Sequence, residues 1–239
     1  MSRGCFLSDL HLLSPRSDWD RRQVHWERDL SKANLIVFGG DIFDFRWSHH
    51  ADHEATLHAV ELRLWDWIER FPAGRMVYLL GNHDSHPDIE EVLEKTSAGC
   101  ERFSWQREVY AEADCVFCHG DMLDAGGCGP ELRNYRSTFH HEMPPSPWAH
   151  RAYDLIVAAR IHRAVPALRH RPLASCQRLA TYLWLGYGET MTTAKRVFFG
   201  HTHVPIAGLQ VEGLEFFNPG ASLRHLPFAP VMFEFDNRG

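Results

Sequence analysis

The chain of 239 residues is 44% hydrophobic and 23% charged, enough apolar surface for one sizeable core and an ordinary charge share that argues against wholesale disorder. Its net charge of −6 argues against a general nucleic-acid binder, which carries a basic excess, so no nucleic acid is expected as a partner. No apolar stretch approaches the ~18 residues that would span a bilayer, and any membrane contact is expected to be peripheral.

From the start of the chain, Cys5-Phe6-Leu7 leads to Asp9 with no charged region, apolar core and cleavage site. The six cysteines follow no disulfide framework. Both features predict a reducing, cytoplasmic setting, with any membrane contact at the inner face. Cys115 and Cys118 have C-x-x-C spacing, but no second pair follows, and they read as ordinary strand cysteines.

Short apolar runs recur, and each ends in residue types that bind metals. Cys5-Phe6-Leu7 runs into Asp9-Leu10-His11, and Leu35-Ile36-Val37-Phe38 into Gly39-Gly40-Asp41. Met76 to Leu80 runs into Gly81-Asn82-His83-Asp84, Cys115 to Cys118 into His119-Gly120-Asp121, and Val197-Phe198-Phe199 into Gly200-His201-Thr202-His203. Apolar runs of this length without alternation predict strands buried on both faces. Asp52 to Arg70 carries Leu57, Val60, Leu64 and Ile68 at helical spacing, stopped by Pro72-Ala73-Gly74, and Asp88 to Lys95 predicts a shorter helix. The pattern is α/β, and ligands in such folds gather outside the carboxyl ends of strands.

The chemistry follows from the residue types. Asp9 and His11 sit two apart, which in extended chain sends both side chains to one side; His201 and His203 repeat the spacing. Asp41 offers two oxygens and can bridge two ions, Asn82 a neutral oxygen, His119 another imidazole. Such a mixed set suits Mn, Fe or Zn better than Mg or Ca, with Mn the first expectation. The absence of thiolates argues against a structural zinc. Each piece alone has a plain reading as loop or turn chemistry; five in order at the ends of apolar runs predict a metal site.

Those residues resemble the calcineurin-like metallophosphoesterase family, whose D-x-H, G-D, G-N-H-D, H and G-H-x-H motifs correspond to Asp9-Leu10-His11, Gly40-Asp41, Gly81 to Asp84, His119 and Gly200 to His203. The resemblance runs from near residue 5 to a final strand around Val231-Met232-Phe233. It implies a two-sheet β-sandwich flanked by helices, with one metal held by Asp9, His11, Asp41 and His203 and the other by Asp41, Asn82, His119 and His201. It also implies that His83 assists the leaving oxygen, that Asp84 orients His83, and that Asn82 touches substrate. Asn218 to Ser222 looks like the turn many relatives carry after G-H-x-H; a simple Pro-Gly turn explains it equally well. Within the family, the nearest look is to the UDP-2,3-diacylglucosamine hydrolases, through Gly40 to Asp44, His119-Gly120-Asp121 and a helical insertion. Those enzymes usually have Arg where this chain has His83.

The chain reads as one domain over 1–239, with a helical cap insertion at about 131–190. From Glu131 to Glu189 there are eight arginines, no lysine and four acidic residues. Arginine forks suit phosphate, so Arg133 and Arg136 are expected to bind substrate, with Arg160 and Arg163 a second pair; the other reading is a solvated helix face. Leu173, Leu179, Leu183, Trp184 and Leu185 read as cap core. His49, His50, His53 and His58 read as a solvated loop and helix start, and Asp121 and Asp124 as candidates for support of the ligands or for substrate contact.

The expected reaction is hydrolysis of a phosphoester or pyrophosphate bond, a hydroxide bridging the two metals attacking phosphorus. The expected partner is a phosphorylated or nucleotide-linked small molecule, lipid-bearing in one reading and soluble in the other. A non-catalytic interaction module would have lost ligands, and all seven positions are present.

Overall fold

The five apolar runs become strands whose two faces enter different cores. In the computed structural model, which describes residues 1–50, 52–140, 146–158 and 168–236, they are β1 (Ser2–Leu7), β2 (Leu35–Gly39), β3 (Arg75–Leu79), β6 (Cys115–Cys118) and β7 (Arg196–Phe198). One sheet runs β10-β1-β2-β3-β4, with β4 (Phe103–Gln106) and β10 (Val231–Phe235) at its edges. The other runs β5-β6-β7-β9-β8, adding β5 (Val109–Glu112), β8 (Ile206–Val211) and β9 (Leu214–Asn218). β1 to β4 are parallel, as are β6, β7 and β9, while β10, β5 and β8 pair antiparallel with their neighbours.

Between the sheets lies a core of Phe6, Val37, Val77, Leu79, Phe117 and Phe198. The alternate residues of the same strands, Leu7, Ile36, Phe38, Met76 and Tyr78, face an outer layer of helices. That layer is α1 (Trp19–Leu30), α2 (His53–Arg70) and α3 (Pro87–Gly99). Strand side chains alternate, so a run is apolar throughout only when both faces are covered. The same geometry separates Cys115 from Cys118. Three apart on one strand, they enter opposite cores, and all six cysteines are free.

The predicted helices form with shifted ends. Asp52 caps α2, accepting from the Ala55 N–H at 2.8 Å, and Trp67 stacks on Phe38 with ring centroids 4.7 Å apart. α3 outruns its predicted span, starting at Pro87 after His86 accepts the Asp88 N–H. The segment expected to be a cap gives α5 (Pro130–Ser137), α6 (Pro147–Ala158) and α7 (Pro172–Met191), after a short α4 (Met122–Ala125). Arg160, Arg163 and the end of the Tyr153–Val165 stretch lie outside the described residues. α7 packs its Cys176, Leu179, Ala180 and Leu183 on the outer face of the second sheet, beside Val116, Val197 and Phe199. Of the five residues expected as cap core, Leu179 and Leu183 are buried, whereas Leu173, Trp184 and Leu185 are exposed. A helix packed on a sheet needs only one apolar stripe, and these three fall off it. No helix among the described residues is long and apolar enough to cross a membrane.

Candidate metal centre

All of the expected ligands lie at or beyond the carboxyl ends of β1, β2, β3, β6 and β7, where two sheets deliver their loops to one place. The local geometry differs from the extended chain expected for D-x-H and H-x-H. Asp9, His11, Asp41, His201 and His203 all have left-handed backbone, with φ of 53°, 47°, 51°, 62° and 56°. For a residue with a Cβ this conformation costs about 1–2 kcal/mol, and it persists only where surroundings fix it. Here they do. The Asp9 N–H donates to Gly40 O, the His11 N–H to Asp41 O, and Asp9 O accepts from the Ser222 N–H, at 2.9–3.1 Å. A Cβ at Gly81 would collide with the Asp41 carboxylate, and one at Gly200 with Ser8 and Asp9. Those two glycines are what let the loops close this tightly.

His201 and His203 therefore point to different groups. Asp9, His11 and His203 form one, Asp41, His119 and His201 another, and Asp41 also joins His11 and His83. His11 Nε2 faces His203 Nε2 at 3.3 Å, His203 Nε2 lies 3.2 Å from Asp9 Oδ1, and His119 Nε2 lies 3.3 Å from Asp41 Oδ2. His119 Nδ1 lies 2.9 Å from Gly39 O, which leaves Nε2 to carry a proton or an ion. Asn82 Oδ1 and His119 Nε2 are buried without a hydrogen-bond partner, a state native interiors avoid. Ligands about 2.0–2.1 Å from one tetrahedral ion sit roughly 3.3 Å apart. The donors and spacings fit divalent metal ions. The charge field agrees: burial alone would lower the His119 pKa, but the carboxylates, Asp41 first, raise it to about 10. This pocket stabilises positive charge.

The structure gives His83 a nearer partner than Asp84. Asp84 spends its hydrogen bonds elsewhere and acts on the ring through its charge. The buried Asp84 carboxylate accepts from Tyr78 OH at 2.6 Å, the Gly81 N–H at 2.6 Å and the Ile42 N–H at 2.8 Å, locking the G-N-H-D turn to the loop after β2. Asp44 holds His83, Oδ1 lying 3.2 Å from Nδ1, and its Oδ2 lies 3.5 Å from His11 Nδ1. Burial would raise the Asp44 pKa, but His83 and His11 hold it well below the usual carboxylate range. The signals available in the sequence were that Asp44 follows Asp41 by three residues and closes the Gly40 to Asp44 stretch that carries the family resemblance.

A second supporting carboxylate is Asp124, whose Oδ2 lies 3.0 Å from His201 Nε2 while Oδ1 lies 3.0 Å from the Arg169 guanidinium. His170 Nε2 sits 3.8 Å from the same carboxylate; burial first, then His201, pushes the His170 pKa down to about 4, so its ring stays neutral. Carboxylate partners of metal-bound histidines typically carry a 10–100-fold share of metal affinity. Asp124→Asn is expected to weaken metal binding by that factor in a chelator competition.

Arg136 is held by the protein itself. It is buried and donates to both Asp121 oxygens at 2.7 and 3.0 Å, to Leu80 O at 2.7 Å and to Arg107 O at 2.5 Å. Four of its N–H groups are engaged within the protein, so it ties α5 to the body. Arg133 is exposed and lines a cavity of about 180 Å³ with Leu80, Ser85, Arg107, Arg136 and His140. Arg16 anchors α6 beside the site, its guanidinium on Asp154 at 2.9 Å and over the Tyr153 ring at 4.4 Å. The Asn218 side chain donates to Gly200 O at 2.8 Å and accepts the Gly220 N–H at 2.8 Å, so the turn there braces the G-H-x-H loop. His49, His50 and His58 join none of these groups. A cavity of about 670 Å³ at the opposite, amino ends of the strands, lined by Met1, Asp114 and Arg196, holds none of the donors.

Residues 4–205 match the family described as calcineurin-like phosphoesterase. The chain belongs to that family. It is a metal-dependent phosphoesterase, and the two-sheet fold flanked by helices is the family's. No curated protein sequence matches this phosphoesterase. Among solved structures it is similar to Yfce, a phosphoesterase from E. coli, at 17% identity over 97% of this chain and 88% of that one, with a TM-score of 0.46. It is also similar to a dimetal phosphatase from Danio rerio, at 12% identity over 99% and 93% of the two chains, with a TM-score of 0.47. At these values neither likeness adds to the functional argument.

Proposed function

We propose that this phosphoesterase hydrolyses a phosphodiester or pyrophosphate bond in a nucleotide-linked small molecule, using two divalent ions that share Asp41. Asp9, His11 and His203 would complete one site, and Asn82, His119 and His201 the other. The observation that carries this reading is the convergence of donor atoms at 3.2–3.3 Å, with Asn82 Oδ1 and His119 Nε2 buried without a hydrogen-bond partner. Mn is the first candidate for the ions, with Fe and Zn next, since the set mixes imidazole and carboxylate.

The bound ions would lower the pKa of a shared water and neutralise the oxygens of an in-line displacement. The chain's own groups do the rest. With Nδ1 on Asp44, the His83 ring keeps Nε2 as the donor for the departing oxygen. Burial would lower its pKa, but Asp41 and then Asp44 raise it to about 9, so the ring carries a proton at neutral pH in the metal-free protein. Its backbone N–H, on Asp41 Oδ1 at 2.8 Å, ties ring position to the shared carboxylate. Arg133 and Arg169, both exposed on the segment proposed as a cap, supply guanidinium groups for the substrate's further phosphate.

The narrower reading is a UDP-2,3-diacylglucosamine type of pyrophosphate, supported by the arginine-rich insertion. The second is a soluble diester, favoured by the His83–Asp44 pair at a position where that branch usually carries Arg. Hydrolysis of UDP-sugar lipids, diesters and monoesters by the Mn-loaded protein separates the two. Asp41→Asn is the test of the shared centre: both ions and the activity should fall together. An Asp41→Asn protein that keeps one tightly bound ion and near-full activity overturns the shared-carboxylate reading.

A further inference from the structure

Outside the groups just described, a further set of donors gathers where α2 and α3 begin. His53 is the first residue of α2, His86 caps α3, and Asp88 lies in the first turn of α3. His53 Nε2 is 2.8 Å from Asp88 Oδ2, and His86 Nδ1 is 3.5 Å from the same oxygen. The two rings have centroids 4.5 Å apart, and one donor atom from each residue lies within 4.8 Å of the others. The side chains are 28%, 20% and 48% exposed for His53, His86 and Asp88, so the group is open to solvent without being loose in it.

We propose that His53, His86 and Asp88 form an additional cation site that takes zinc. Two imidazoles and a carboxylate make a three-ligand zinc set that leaves one position for water. With one donor atom from each residue within 4.8 Å of the others, side-chain rotation alone brings the three to the roughly 3.3 Å between ligands of a tetrahedral ion with bonds near 2.0–2.2 Å. Helix capping explains only part of the arrangement. His86 Nδ1 accepts the Asp88 N–H at 3.2 Å, a long bond that an ion held at Nδ1 would have to displace. The cap needs nothing from His53, which comes from another helix and meets Asp88 across 35 residues of chain. Two nitrogen donors select zinc over magnesium or calcium, which prefer all-oxygen shells. An ion there would staple α2 to the start of α3, just after the turn that carries Asn82, His83 and Asp84. It would act on the placement of that turn and need not meet the substrate.

This site stands apart from the shared Asp41 centre, and the experiment keeps them separate. Full-length protein is dialysed to equilibrium against fixed free zinc, and bound metal is counted per chain by mass spectrometry for wild type, His53→Gln and Asp88→Asn. His53→Gln keeps a side-chain donor for Asp88 but not an imidazole. The expected result is that wild type holds one zinc more than either variant, and that zinc raises the wild-type melting temperature further than theirs. Dialysis against magnesium should show no such difference. Equal zinc counts in wild type and His53→Gln overturn the site and reduce the trio to hydrogen-bonded helix ends. Failure of the shared centre would appear elsewhere, as an Asp41→Asn protein that binds as much metal as wild type.

Discussion

His83→Ala is expected to lower turnover roughly 10²–10⁴-fold, the usual worth of a positioned general acid, while the bound metal stays constant. The ring is placed by Asp44 through Nδ1 and by the backbone N–H on Asp41, and it contributes only one of three donors to its nearest group. The loss should grow with the pKa of the leaving group, because a nitrophenolate departs without a proton and an alkoxide does not. Rates for a series of diesters, read beside metal content, make the check. Equal losses along the series would assign His83 to substrate positioning, and loss of metal would make it a ligand. Asp44→Asn should reproduce part of the same slope, since it leaves His83 in place without its anionic partner. Asp84→Asn should instead loosen the turn that Asp84 holds through Tyr78, Gly81 and Ile42, and lower stability.

Arg136→Ala is expected to cost about 3–5 kcal/mol of stability, the range for removing one member of a buried ion pair and stranding the other. Asp121 is fully buried and has Arg136 as its salt-bridge partner. Urea unfolding in chelator, at pH 7, measures the difference. The sign of the pH dependence follows from Asp121. Burial would raise its pKa, but Arg136 and then His119 hold it below the ordinary carboxylate value. Its contribution is therefore present above about pH 4 and is lost as pH falls through the depressed folded value. In the variant the carboxyl can protonate at a higher pH, so the gap between the two proteins should narrow in acid. Arg133→Ala, at an exposed position, should stay within about 0.5 kcal/mol and raise KM for a nucleotide diphosphate. If Arg136→Ala were as stable as wild type and changed only KM, Arg136 would belong with the substrate after all.

The sequence by itself determined the five strands and the residue types placed at their ends. Both are local: an unalternating apolar run is stable only between two cores, and glycine followed by Asp, Asn or His is what a chain leaving such a strand can place beside an ion. The tertiary structure alone decided which neighbour each side chain meets. Asp84 follows His83 directly, yet adjacent residues on a tight turn face apart, and the ring's partner is Asp44 from the loop after β2. Arg136 reads like a phosphate ligand among exposed arginines, but its place on the inner face of α5 brings it to Asp121 and the Leu80 carbonyl. The left-handed backbone at Asp9, His11, Asp41, His201 and His203 is likewise invisible in residue spacing. It exists because loops far apart in sequence hydrogen-bond to one another at the carboxyl ends of two sheets, and those contacts offset a strain that no single segment would hold alone.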